Sequence, residues 1–216
     1  FLKTDRSETS AASDILKRIA MAHPEIRFSF QHEGRGWKVT TQSSVPSTLK
    51  FETPEDDASR PNDSMLPSGG DKNLKARLND IVGKDFAANS LPVTGERDGA
   101  RLHGFAGIPT YNRGNSLQQY LFVNGRPVRD RLLLGVVRAA YQDFLARDRH
   151  PVLALFLTVP PEMVDVNVHP AKAEVRFRDV QGTRSMILRG LREALAAAGH
   201  QASTTVAQQA LNHMDH

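Results

Sequence analysis

The chain has 216 residues, with 28 Lys plus Arg against 24 Asp plus Glu, a net charge of +4 and 39% apolar residues. Those values exclude wholesale disorder and fibrous classes, and they fit one large domain or one and a half. No apolar run approaches the roughly 20 residues that a membrane helix needs. The absence of cysteine excludes disulfides, thiolate nucleophiles and cysteine-rich zinc sites. The opening Phe1-Leu2-Lys3 carries no initiator Met and no secretion or transit signature, so a piece of a longer, cytoplasmic protein is expected.

Ser7 to Ala22 reads as a helix, with Ala12, Ile15, Leu16, Ile19 and Ala20 on its inner face, stopped by His23-Pro24. Ile26, Phe28 and Phe30 then alternate with polar residues, Glu33 to Gly36 turns, and Trp37 and Val39 alternate again, which predicts a hairpin. Residues 52–71 change character: acids, three prolines, Ser and Gly replace apolar residues. Such a stretch cannot bury enough surface to offset its ordering entropy, and a flexible acidic insertion is expected. Leu74, Leu78, Ile81 and Val82 form the next helical face, closed by Gly83.

Leu102 to Ile108 reads as a glycine-dotted strand and Gln118 to Val123 as a cleaner one, followed by the turn dipeptide Asn124-Gly125. Asp130 caps a helix whose inner face is Leu133, Val136, Val137, Ala140 and Phe144. Val152 to Val159 is apolar on both faces, as a central strand should be. Val164, Val166 and Val168 alternate, as do Val175 and Phe177 beyond Pro170-Ala171-Lys172. A last helix carries Ile187, Leu188, Leu191 and Leu195 and ends at Gly199, which assigns residues 1–198 to the domain and 199–216 to the start of an interdomain linker. Residues 118–159 make one βαβ crossover, right-handed by the general rule. The fold class is α+β: a mixed sheet with helices packed on one face.

The chemical absences are informative. Gly83-Lys84 lacks the rest of a phosphate loop, Gly34 and Gly36 lack a third glycine, and Gly114-Asn115-Ser116 fails the nucleophile-elbow pattern. Asp165 and His169 are two ligand types without a third, so no metal site is expected. Two constellations stand out. In Arg126-Pro127-Val128-Arg129-Asp130-Arg131, three guanidinium groups gather where a strand turns into a helix, whose free N–H groups already favour anions. Residues 97–192 hold fifteen Lys plus Arg, fourteen of them Arg, in excess over acids, so the acidic insertion conceals a basic half. The bland alternative is a solvated helix end with Arg129 and Arg131 paired to nearby acids, and spacing leaves both open. Arg147 falls at the far end of the same helix. The second constellation, from Asp165 to Phe177, presents Lys172 on a proline-limited loop between alternating segments. That lysine suits a phosphate presented by another surface, or is an ordinary exposed turn lysine.

At QYLFVNGRPVRDR and VDVNVHPAKAEVRF the sequence resembles the middle domain of the MutL family of DNA mismatch-repair proteins; FLKTDRSE and GFAGIPTYNRGN resemble its bacterial members. The resemblance implies a transducer module of a GHKL-type ATPase with the ribosomal protein S5 domain 2-like fold. That fold has a left-handed βαβ unit, which takes precedence over the right-handed rule. It implies that Lys172 contacts the γ-phosphate of ATP, held with Mg2+ in an N-terminal domain outside this chain. Arg131, with Arg129 and Arg126, would bind DNA. The implied partners are DNA, that ATPase domain, a mismatch sensor of the MutS kind and a second copy in a homodimer. The N box and glycine motifs of the ATPase are absent from this chain, so no hydrolysis is expected from it alone. The class-different rival is a free-standing S5-like nucleic-acid-binding domain with no ATPase partner.

Overall fold

The computed structural model describes residues 5–32, 35–39, 70–165 and 175–214. Its centre is a five-stranded mixed sheet in the order β3-β4-β9-β6-β7. The strands are β3 (Ser90–Arg97), β4 (Ala100–Gly107), β6 (Gln119–Val123), β7 (Arg126–Val128) and β9 (Leu153–Thr158). Strand β9 pairs antiparallel with β4 and parallel with β6. It holds the middle place that its two-sided apolar pattern predicts, with residues 153–157 all buried.

Side chains alternate across these strands and divide the core in two. Leu121, Val123, Leu153, Leu155 and Leu157 meet helices α3 (Arg131–Tyr141) and α4 (Val180–Met214). Tyr120, Phe122, Ala154 and Phe156 face the other way, toward α1 (Asp5–Ala22) and α2 (Gly70–Val82). The helical layer expected on one face is thus α3 with α4, and α1 and α2 cover the opposite face. Phe122 and Phe156 stack there with ring centroids 4.5 Å apart. Each fully buried Val, Leu or Phe contributes about 1.5–3 kcal/mol of transfer free energy, so both layers hold the sheet.

Several elements differ from the sequence reading. Strand β3 was not foreseen, because Pro92 and Gly95 weaken its strand signature; it is an edge strand, where proline is tolerated. Helix α1 buries the expected Ala20 but adds Arg18 and Met21 to its inner face, while Ile15 is 59% and Ile19 36% exposed. Arg18 is accommodated by Asp14 at 3.0 Å and by the Tyr120 ring at 5.0 Å. On α2, Arg77 is 2% exposed and donates to the carbonyls of Pro24 and Ile26 at 2.8 and 2.6 Å. It thereby ties α2 to the entrance of the hairpin β1 (Phe28–His32) and β2 (Arg35–Val39). Phe144, expected on the inner face of α3, is 51% exposed because that helix ends at Tyr141, which takes the buried place. Helix α4 runs through Gly199 to Met214: one glycine costs about 1 kcal/mol, and good helix formers such as Ala and Gln surround it.

Of the acidic stretch, residues 52–69 lie outside the described residues, and α2 begins at Gly70. Gly83 closes α2 with a positive φ, its N–H donating to the Asn79 carbonyl. Gly104 has φ +144, and a Cβ there would collide with the Ala154 carbonyl on β9, so the dotted strand needs glycine at that point.

Candidate functional site

The turn joining β6 to β7 is built from Asn124 (φ 48) and Gly125 (φ 75), both left-handed, the conformation an Asn-Gly hairpin turn demands. Asn124 also fastens the turn to the end of β9: its Oδ1 accepts from Val159 N at 2.8 Å and its Nδ2 donates to Val159 O at 3.0 Å. Strand β7 is three residues long and Arg129 alone separates it from Asp130, so Arg126, Arg129 and Arg131 emerge from a short, braced segment. All three are exposed. None takes part in an ion pair with any of the described residues. The reading in which neighbouring acids neutralise Arg129 and Arg131 has no support among the described residues.

Asp130 explains part of this. It sits between two arginines but is 6% exposed, and both its oxygens serve the backbone. Oδ1 accepts from Leu133 N at 3.1 Å and caps α3, while Oδ2 accepts from Val175 N at 3.4 Å. The first turn of α3 holds no acidic residue and opens on Arg131. Helix N-termini normally favour anions, so a cationic side chain at this end leaves the positive field for an outside group.

The bond from Asp130 to Val175 also brings the two sequence constellations together across 45 positions. Val175 precedes β11 (Arg176–Phe177), which pairs antiparallel with β10 (Val164–Asp165). The connection between these strands, residues 166–174, includes Lys172 and His169 and lies outside the described residues. Among the described residues no group of three metal ligands occurs.

Sequence reasoning missed the extent of the basic surface. A cleft of about 660 Å³ runs along the outer side of α3, and Arg131, Arg138, Arg147, Arg149 and His150 line it. Arg147 therefore shares a concavity with Arg131 and is not remote from the cluster. The loop that returns it is pinned where β5 (Asn112–Arg113) pairs with β8 (His150–Pro151) and where Arg149 Nε donates to Asn112 Oδ1 at 2.5 Å. The available signal was the Arg131–Arg138 spacing of seven, which keeps both on one helical face. Tyr141 forms part of the floor, 1% exposed, its hydroxyl donating to the Gly107 carbonyl at 2.7 Å. Burial pushes that phenol well above the usual tyrosine range.

The fold is of the S5 domain 2-like α+β kind found in DNA-repair proteins. A crystal structure of the N-terminal domain of a DNA repair protein superimposes with a TM-score of 0.58 at 17% identity, covering 89% of this chain and 54% of that one. The family described as "DNA mismatch repair protein, C-terminal domain" matches residues 78–196. The chain is 52% identical over 211 residues to the DNA mismatch repair protein MutL of Phenylobacterium zucineum, and 50% identical over 211 residues to that of Paramagnetospirillum magneticum. This chain belongs to the DNA mismatch repair protein family, of the MutL kind. Those matches cover 98% of the chain and only 30% and 31% of the two relatives. Among the described residues no helix is long and apolar enough to cross a membrane.

Proposed function

We propose that the chain is the transducer module of a GHKL-type mismatch-repair ATPase, and that its arginine turn contributes a DNA-binding surface. One observation carries the DNA reading: Arg126, Arg129 and Arg131 are exposed on a braced turn, and the carboxylate between them is spent on backbone N–H groups. Guanidinium groups with no ion-pair partner among the described residues suit phosphate oxygens and carry no base preference of their own. ATP with Mg2+, held in an N-terminal domain, would supply the transferred phosphoryl group. The contribution proposed for this chain at that site is a single cation, Lys172, reaching the γ-phosphate. Asp130 N-caps α3 and bonds the backbone at the exit of the Lys172 segment, which supports mechanical coupling between nucleotide and DNA. A mismatch sensor of the MutS kind and a second copy of the protein are the further partners proposed. Arg131→Glu is expected to weaken binding to mixed-sequence duplex DNA, equally across sequences. Lys84→Glu, an exposed cation beyond α2 on the opposite side of the sheet, is the charge control. Equal losses in both variants would leave only net charge and overturn the assignment.

A further inference from the structure

The cleft beside α3 contains a glycine that no close packing among the described residues calls for. Gly135 lies in the middle of the helix, exposed, and a Cβ built on it would meet nothing within 4 Å among the described residues. Glycine inside a helix is unfavourable relative to alanine, and here no close contact among the described residues requires it. What its missing side chain provides is an open strip of helix backbone at the bottom of a cationic cleft. Glycine is used in this way where a ligand must come close to the main chain. Arg131 and Arg138 flank it at −4 and +3, on the same face. Seven residues of helix separate these arginines by about 10.5 Å, so they present two separate cationic points along one face. From the opposite wall come Arg147 and Arg149, against one lining acid, Asp143. Neither Arg138 nor Arg147 has an ion-pair partner among the described residues.

We propose that this cleft is a phosphodiester-backbone channel. One DNA strand passes over Gly135 with its phosphates between Arg131 and Arg138 on α3 and Arg147 on the returning loop, continuing the track that begins at Arg126 and Arg129. The inference rests on the DNA-binding reading of the arginine turn and extends it to a second segment. The braced loop holding Arg149 to Asn112 keeps the far wall in place. A cleft lined by arginines from a helix and from the loop that follows it fits a polyanion.

The test separates the channel from the turn. Affinity for a fluorescein-labelled duplex of mixed sequence is measured by anisotropy over a salt series. The variants are Gly135→Gln, Arg138→Gln with Arg147→Gln, Arg126→Gln with Arg129→Gln, and the control Lys84→Gln. Gly135→Gln removes no charge and places a side chain in open space, so the chain still folds. It is expected to raise the melting temperature by a few degrees through helix propensity, and yet to weaken DNA binding by about tenfold, as for one lost charge-assisted contact. The arginine pair is expected to lower the slope of log K against log salt by about 1.8, two phosphate contacts' worth. If the turn variant loses affinity while Gly135→Gln binds like the parent chain, the channel is refuted and the turn stands. If Lys84→Gln loses as much as the arginine pair, net charge accounts for the binding and the channel is refuted too. If neither the turn variant nor the cleft variants lose affinity, the DNA-binding reading itself falls.

Discussion

Asp130→Ala removes two acceptors at one buried point. The carboxylate is 6% exposed, caps α3 through Leu133 N at 3.1 Å and holds Val175 N at 3.4 Å. Loss of an N-cap costs about 1 kcal/mol. A second N–H left without its acceptor adds about 1 kcal/mol more, the longer bond placing it at the low end of the usual range. For a domain of this size each kcal/mol lowers the melting temperature by about 2–4 °C, so a fall of about 4–8 °C is expected. Asp130→Asn separates the two roles. Asparagine caps as well as aspartate, but it presents an amide to Val175 N–H, and about half the loss is expected. Circular dichroism melts of the two variants measure this directly. An Asn variant as damaged as the Ala variant would show that capping is not what Asp130 contributes. An Ala variant melting like the parent would refute the link between the arginine turn and the segment at Val175.

Gly104→Ala is expected to destabilise by more than about 1–3 kcal/mol, the cost of the backbone conformation alone, because the new Cβ also meets the Ala154 carbonyl; near-parent stability in urea would contradict the register of β4 on β9. The Tyr141 phenol is raised by burial, so the folded chain holds that proton more tightly than the unfolded one. Its contribution is complete below the unfolded value of about 10 and is lost as pH rises beyond it. Tyr141→Phe should cost about 1 kcal/mol at neutral pH and flatten the alkaline fall of the melting temperature, with Tyr120, also raised by burial, leaving a residual slope; identical alkaline slopes would refute this. In the full-length protein, Lys172→Ala is expected to cut steady-state ATP turnover by about 10²–10³ while Arg176→Ala does not, and wild-type turnover in the lysine variant would return Lys172 to an ordinary exposed position.

Much of the fold was legible because local rules agreed with one another. Asp130, the Leu133–Val136–Val137–Ala140 stripe and Asn124-Gly125 each announce a specific backbone shape, and β9 announces its central place by being apolar on both faces. The edge strand β3 was hidden by Pro92 and Gly95, although Asp98-Gly99, with φ 48 and 78, is a hairpin dipeptide that marks it. The inward face of α1 was hidden because Arg18 is buried over an aromatic ring, which hydropathy counts as surface. Of the candidate site, the three arginines of the turn could be read directly, since they lie within six positions. That no acid among the described residues pairs with them could not, because it depends on Asp130 spending both oxygens on backbone groups, one of them 45 residues away. The cleft was out of reach for the same reason: Arg147 joins Arg131 only because the chain folds back at β8.

The DNA-binding proposal stands or falls with phosphate contacts at the arginine turn. The most direct measurement is the salt dependence of duplex binding by the parent chain and by a variant with Arg126, Arg129 and Arg131 all changed to Gln. Three lost phosphate contacts should reduce the slope of log K against log salt by about 2.7, at about 0.9 per contact, with the melting temperature unchanged. A variant with the parent's slope and affinity would contradict the account.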